Sequence, residues 1–213
     1  MRRLLALLLV VSFVLGGCAA SRSELDISIP MAEHVTASVG KEVYVGSIVD
    51  KRVFEFNPGT PDKPSLDPSR EGGSEIIARA VGRKRSIYGK AMGDVLLREG
   101  QTVETLVAGT IRQALSDIGY KVLTDESQIK ENTIIVTGVI RQFWTWFNPG
   151  PFSITLSALI ETTLTVNPPK NGRTIPTIVL GHHSAAMALE STYAECIEQV
   201  LRLYAEDIKQ QFK

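Results

Sequence analysis

Residues 132–166, NTIIVTGVIRQFWTWFNPGPFSITLSALIETTLTV, decide the fold. Asn132 to Phe147 is one long run rich in β-branched and aromatic residues, the composition of a strand. Asn148-Pro149-Gly150-Pro151 then supplies turn chemistry that reverses the chain. The return run sets Ile154, Leu156, Ala158, Ile160, Leu164 and Val166 on one face against Ser153, Thr155, Ser157, Glu161, Thr163 and Thr165 on the other, with Leu159 and Thr162 as exceptions. That period of two marks a half-buried strand. Asn167 to Gly172 turns the chain again, and Thr174 to Leu189 predicts a third strand, so the stretch reads as an antiparallel meander.

Helical patterns flank it. In Gln101 to Gly119, Val103, Leu106, Val107, Ile111, Ala114, Leu115 and Ile118 recur three and four apart, which predicts one apolar stripe, with Thr102 as cap and Gly119 as left-handed stop. Tyr120 to Leu123 begins a strand. Thr192 and Glu195 stand as a capping box before a last helix with the stripe Ile197, Val200, Leu201, Tyr204, Ile208 and Phe212, and Cys196 reads as a small core thiol in its first turn. Val43 to Val49, apolar on both faces, predicts a central first strand ended by Asp50, Lys51 and Arg52. The expected fold is α+β: a mixed, mainly antiparallel sheet with two helices packed on one face and the meander's polar face open.

Residues 57–74 hold Pro58, Pro61, Pro64 and Pro68 with Gly59, Gly72 and Gly73, and predict a long exposed loop. Glu75 to Leu97 reads as a hairpin whose tip is basic. Its five cations, Arg79, Arg83, Lys84, Arg85 and Lys90, suit either lipid phosphates or plain solvent.

The chain has 213 residues, with Lys+Arg 23 balancing Asp+Glu 23, so no basic field favours nucleic acid and no acidic excess favours disorder. Cys18 and Cys196 are too few for a disulfide framework or a four-cysteine zinc site. The start is Met1-Arg2-Arg3, a twelve-residue apolar run from Leu4 to Leu15, then Gly16-Gly17-Cys18. The run is a secretory signal, too short for the roughly 20 residues a transmembrane helix needs. Leu15-Gly16-Gly17-Cys18 resembles the lipobox of bacterial lipoproteins. The resemblance implies removal of residues 1–17 and covalent diacylglyceryl and N-acyl chains, palmitate among them, on Cys18. Ala19 following the Cys implies outer-membrane sorting in place of inner-membrane retention. Residues 18–40 read as a tether that lifts the body off the membrane, and 41–213 as a single α+β domain.

A lipobox, a Val-rich first strand ending in Asp50 and Arg52, a Gly-bearing hairpin, the helix end Leu115-Ser116-Asp117-Ile118-Gly119-Tyr120-Lys121-Val122, a meander with aromatics at its first turn and a C-terminal amphipathic helix together resemble the YajG-like bacterial lipoproteins. More distantly the layout is similar to auxiliary lipoproteins of lipid-exporting ABC systems. The loop at 57–74 is longer than that family implies.

Signatures of catalysis are missing from the sequence: G-x-S-x-G, H-E-x-x-H, C-x-x-C and G-x-G-x-x-G do not occur, and Gly82 to Lys90 has the wrong spacing for a phosphate loop. Of three histidines, His182 and His183 adjoin on a predicted strand and point to opposite faces, so they do not chelate one metal. The expectation is a non-enzyme without metal or cofactor beyond the acyl chains on Cys18. It would lie at the periplasmic face of the outer membrane and bind or scaffold an envelope component. The alternative is a lipid-binding accessory of an envelope lipid or lipopolysaccharide transport system. The partners expected are the membrane, through the lipid anchor, and an envelope protein or lipid. Trp144, Trp146, Phe147 and Phe152, gathered at the turn with Phe143, are the candidate binding surface. The competing reading extends the stripe Ile134, Val136, Ile140 through Trp144 and Trp146 into the core.

Overall fold

In the computed structural model, which describes residues 22–31, 39–67, 73–86, 88–150, 153–167 and 172–213, one strand organises all the others. Strand β6 (Ile134–Pro149) pairs antiparallel along its whole length with β7 (Ile154–Asn167), which pairs antiparallel with β8 (Arg173–Ala185). The predicted meander is thus present. The other edge of β6 serves two partners in series. Strand β2 (Glu42–Asp50) runs parallel to its first half, Val43 beside Ile134 and Asp50 beside Ile140. Strand β3 (Ala80–Arg85) meets its second half at Gly82 and Thr145. There the chains come so close that a Cβ on Gly82 would stand 2.8 Å from the Thr145 carbonyl oxygen. Strand β4 (Ala91–Leu97) returns antiparallel to β3, β1 (Ser23–Leu25) adds parallel to β4, and β5 (Lys121–Leu123) adds parallel to β2. The mixed α+β sheet is the one expected.

Two long helices cover one face. The first of them, α2 (Val103–Asp117), follows a short α1 (Ser74–Arg79) and starts in a reciprocal cap: the Thr102 hydroxyl accepts from the Thr105 amide at 3.1 Å, while the Thr105 hydroxyl accepts from the Thr102 amide at 2.9 Å. It ends at Gly119, whose φ of 89° is left-handed and whose amide donates to the Ser116 carbonyl. Helix α3 (Glu190–Phe212) buries every residue of its predicted stripe. Each fully buried aliphatic side chain stabilises by about 1.5–3 kcal/mol. Between the sheet and these helices, Val43, Val45, Val136, Ile140, Phe143, Phe147, Leu156, Ile160 and Leu164 complete the main core. Thr162, an exception to the alternation, is buried because its hydroxyl bonds the Tyr204 hydroxyl at 3.0 Å.

Several expectations need correction. Residues 22–31 do not behave as tether: β1 pairs with β4, and Leu25 and Ile27 sit in the main core. The first arm of the hairpin begins at Ala80, since 74–79 form α1. The last helix opens at Glu190 without a side-chain cap, and Thr192 instead donates to the Met187 carbonyl at 3.1 Å. Strand β6 runs on through Pro149.

The largest correction concerns the aromatic run. Ile140 opposes Thr162 but Gln142 opposes Glu161, so Arg141 is an extra residue in β6, a β-bulge. One inserted residue reverses which side chains face which side. Phe143 and Phe147, not Trp144 and Trp146, therefore continue the core stripe of Val136 and Ile140. Trp144 goes through to the opposite face of the sheet. There it forms a second, smaller core with Ala80 and Leu96, against which Phe54, Leu66, Ile76 and Trp146 pack.

Candidate functional site at the hairpin end

The described part of the loop, through Asp67, is pinned across that opposite face. Trp144 Nε1 donates to the Pro61 carbonyl at 3.1 Å, Gln142 Nε2 to the Asp62 carbonyl at 2.8 Å, and the Glu55 amide to the Pro64 carbonyl at 2.8 Å. Its near end hangs on Arg52. That guanidinium is wholly buried, grips the Asp50 carboxylate, donates to the carbonyls of Ala80, Phe143 and Ile77, and lies over the Phe54 ring at 5.2 Å. Its far end hangs on Asp94, also fully buried, which accepts from the Asp67 amide at 3.0 Å and from Arg22 Nε at 3.2 Å, with Arg83 Nε 3.9 Å away. Neither anchor was among the sequence candidates. The signals were there: an acid inside the apolar strand AMGDVLL, and an Arg two residues after an Asp at a strand end.

Strand directions decide what meets what. Strands β3 and β6 run parallel, so Arg85 and Pro149 reach the same end of the sheet, where β4 and β7 begin, β8 finishes and α3 starts. Asn57 to Pro61 arrive there over the second core. These segments enclose a cavity of about 320 Å³, with Asn57 to Pro61 on one side, Arg85, Ser86, Tyr88 and Gly89 on another, and Phe147 and Pro149 on a third. That is the lower end of the size range of small-molecule sites.

Ser86 builds the hairpin tip. Its amide donates to the Lys90 carbonyl at 2.8 Å, its hydroxyl accepts from the amides of Tyr88 and Lys90, and Gly89 takes a φ of 78°. Tyr88 is left 90% exposed. Arg85 donates to the Gly89 carbonyl at 3.0 Å, and its pKa is lowered first by partial burial and then by neighbouring Arg83.

Of the five cations expected at the tip, Arg79 is buried and bonded to the Leu97 carbonyl, Glu24 and Glu75. Arg83 is buried beside Asp94, and Lys84 donates to the Ser23 hydroxyl at 2.8 Å. Arg85 and Lys90 remain toward solvent. Among the candidate binding residues, Trp144 is core, Trp146 is half-buried beside it, and Phe147 is 5% exposed yet lines the cavity. Phe152 and Cys18 lie outside the described residues.

Elsewhere polar contacts join the strands to one another and to α3. Asn148 Nδ2 donates to the Ser157 hydroxyl at 2.9 Å, and that hydroxyl stands 2.9 Å from His182 Nδ1. Ser157 is buried, so the chain of bonds ties β6, β7 and β8 together. His183, on the other face, pairs with Glu195 at 3.0 Å. Cys196 is buried, its Sγ 3.5 Å from the Leu156 carbonyl, and burial pushes its pKa up to about 12. Among the described residues no group of three or more His, Cys, Asp or Glu side chains is placed to hold a metal. No described helix is long and apolar enough to cross a membrane.

No family model and no curated protein matches the chain. Solved structures with a similar layout include XCC0632 of Xanthomonas campestris (DUF330), 10% identical, covering 88% of this chain and 91% of its own, with a TM-score of 0.49. The hypothetical protein CT253 of Chlamydia trachomatis is 6% identical over 79% of this chain and 95% of its own, TM-score 0.42. Lipoprotein GNA1162 of Neisseria meningitidis is 8% identical over 78% and 99%, TM-score 0.31.

Proposed function

We propose that the chain is a non-enzymatic lipoprotein of the bacterial envelope, held by acyl chains on Cys18 at the periplasmic face of the outer membrane, which binds or scaffolds an envelope component through its hairpin end. The observation that carries this reading is convergence. Three segments that stand apart in the sequence, the Pro-rich loop, the basic hairpin and the aromatic turn, border one cavity. The cavity offers a guanidinium, ring faces and backbone polar groups, which suit recognition better than bond making. A lipid carrier would need an apolar groove for acyl chains, and the space between α3 and the sheet is filled by Ile197, Val200, Leu201 and Tyr204, all essentially unexposed.

The test is to express the full-length tagged protein in its native envelope, extract it gently and identify the lipids and proteins that accompany it. Cys18→Ser reports the anchor, and Tyr88→Ala the hairpin end. A partner retained by the unaltered protein and lost with Tyr88→Ala supports the reading. Stoichiometric lipid beyond the covalent chains would favour the transport accessory, and an unmodified Cys18 would remove the anchor altogether.

A further inference from the structure

The short β1 strand fixes which end of the domain faces the anchor. Strand β1 is parallel to β4 with Ser23 beside Val95, so Arg22 stands at the end of β1 nearer Ala91 and the β3–β4 tip. Arg22 is held by Asp94. From Cys18 to Arg22 is four residues, and an extended chain spans at most about 3.6 Å per residue, so Cys18 lies within roughly 14 Å of Arg22. A Cys acylated there would hold Arg22, at the end of the sheet that carries the cavity, within that distance of the bilayer surface.

That end is dressed for it. Phe56, next to cavity-lining Asn57, is 83% exposed, Tyr88 at the hairpin tip 90%, and Met187 and Leu189, between β8 and α3, 62% and 53%. Exposed apolar and aromatic side chains gathered at one end mark an interaction surface, and aromatic rings with a polar edge favour the headgroup level. Lys90 is exposed and Arg85 half-exposed among them. Of the acids nearby, Asp94 is buried between Arg22 and Arg83, whereas Glu190, which accepts from the Ser23 hydroxyl, and Glu55 are exposed. Building on the lipid anchor of the proposed function, we infer that this end is a membrane-docking face. Phe56, Tyr88, Met187 and Leu189 enter the headgroup layer, and Arg85 and Lys90 meet anionic lipid phosphates.

The test uses the full lipidated chain in vesicles of phosphatidylethanolamine and phosphatidylglycerol. Cys196 is buried, so a thiol-directed environment-sensitive dye goes to a cysteine introduced on the surface. Tyr88→Cys and Leu189→Cys report this end, and Glu131→Cys, on the exposed turn before β6, reports the opposite one. The dye at 88 and 189 should shift its emission to the blue and be quenched by nitroxide-bearing lipid, while that at 131 does neither. Quenching at 88 should weaken with Lys90→Glu and when phosphatidylcholine replaces phosphatidylglycerol. Mass spectrometry of the N-terminus separates the two ways of failing. If Cys18 is acylated and position 88 is as wet as position 131, the docking face is overturned and the anchor stands. If Cys18 is unmodified, the anchored reading falls and this inference falls with it.

Discussion

Replacing Arg52 by Ala should be among the most damaging single changes in this protein, although the side chain lies in no helix or strand. The guanidinium is fully buried, makes 2.8–3.0 Å contacts with the Asp50 carboxylate, and donates to the carbonyls of Ala80, Phe143 and Ile77. Removing one partner of a buried ion pair costs about 3–5 kcal/mol, and each buried acceptor left without a donor adds about 1–3 kcal/mol. Asp50 limits the damage because its side chain is 12% exposed and keeps a 3.0 Å bond from the Arg52 amide. With the ion-pair term thereby reduced to about 1 kcal/mol and the three carbonyls at the low end of about 1 kcal/mol each, the net loss should be about 4 kcal/mol, a large part of the roughly 5–15 kcal/mol that holds a domain folded. For a domain of this length each kcal/mol moves Tm by about 2–4 °C, so thermal unfolding followed by circular dichroism should show a fall of about 8–16 °C. Arg52→Lys keeps the charge without the planar fork that serves three carbonyls, and should recover less than half of it. A fall below about 3 °C for Arg52→Ala, or a Lys variant as stable as the natural chain, would refute the assignment of Arg52 as the hinge pin of the loop.

Trp144→Ala should cost about 3–5 kcal/mol because it empties the second core, whereas half-buried Trp146→Ala should cost about 1 kcal/mol; equal losses would mean that the bulge at Arg141 is misplaced. Gly82→Ala pushes a Cβ to 2.8 Å from the Thr145 carbonyl oxygen and should destabilise by about 1–3 kcal/mol, with amide exchange rising at Gly82 and Thr145 first. Cys196 should resist a thiol reagent at pH 8 in the native protein and react at once in denaturant, since burial holds its pKa at about 12. The same burial raises the pKa values of Tyr193 and Tyr204. Groups whose pKa is raised on folding stabilise fully below the unfolded value and lose that contribution as pH climbs toward the folded one. Stability should therefore decline from about pH 9 upward, and Cys196→Ala should make the decline between about pH 9 and 12 shallower. A native thiol that reacts within seconds, or an alkaline slope untouched by Cys196→Ala, would count against the burial.

What the sequence disclosed follows from where its signals are local. The stripe of α2, its Thr102 cap, its Gly119 stop and the alternation of β7 each depend on neighbours a few residues away, and each is found in the structure. The aromatic run misled because a bulge leaves no local mark: Arg141 and Gln142 look like any two polar residues, and only pairing with Thr162 and Glu161 shows that one of them is surplus. Arg79 and Arg83 misled for a related reason. A run of cations looks solvated until the buried carboxylate of Asp94 and the carbonyl of Leu97 come up beside it. The opening stretch looked like a tether because β1 is three residues long, too short for a period to register, yet Leu25 and Ile27 close the main core.

The displaced tryptophan links these corrections to the site. With Trp144 in the main core, the far-face core that residues 51–67 fold against would lose its largest buried member and keep Ala80 and Leu96. With Trp144 on the far face, the indole ring supplies the bulk of a second core, its Nε1 fixes the Pro61 carbonyl, and neighbouring Gln142 fixes that of Asp62. Pro61 is a wall of the cavity, so the wall is set by a side chain that does not itself line it. Asp94 works in the same way from the other side, binding the loop at Asp67 and the entering chain at Arg22. One buried carboxylate thus fixes both the far end of the loop and the point at which the chain enters β1. The register slip at Arg141 is therefore no local irregularity, because the second core, the course of the loop and the cavity between loop and hairpin all depend on it.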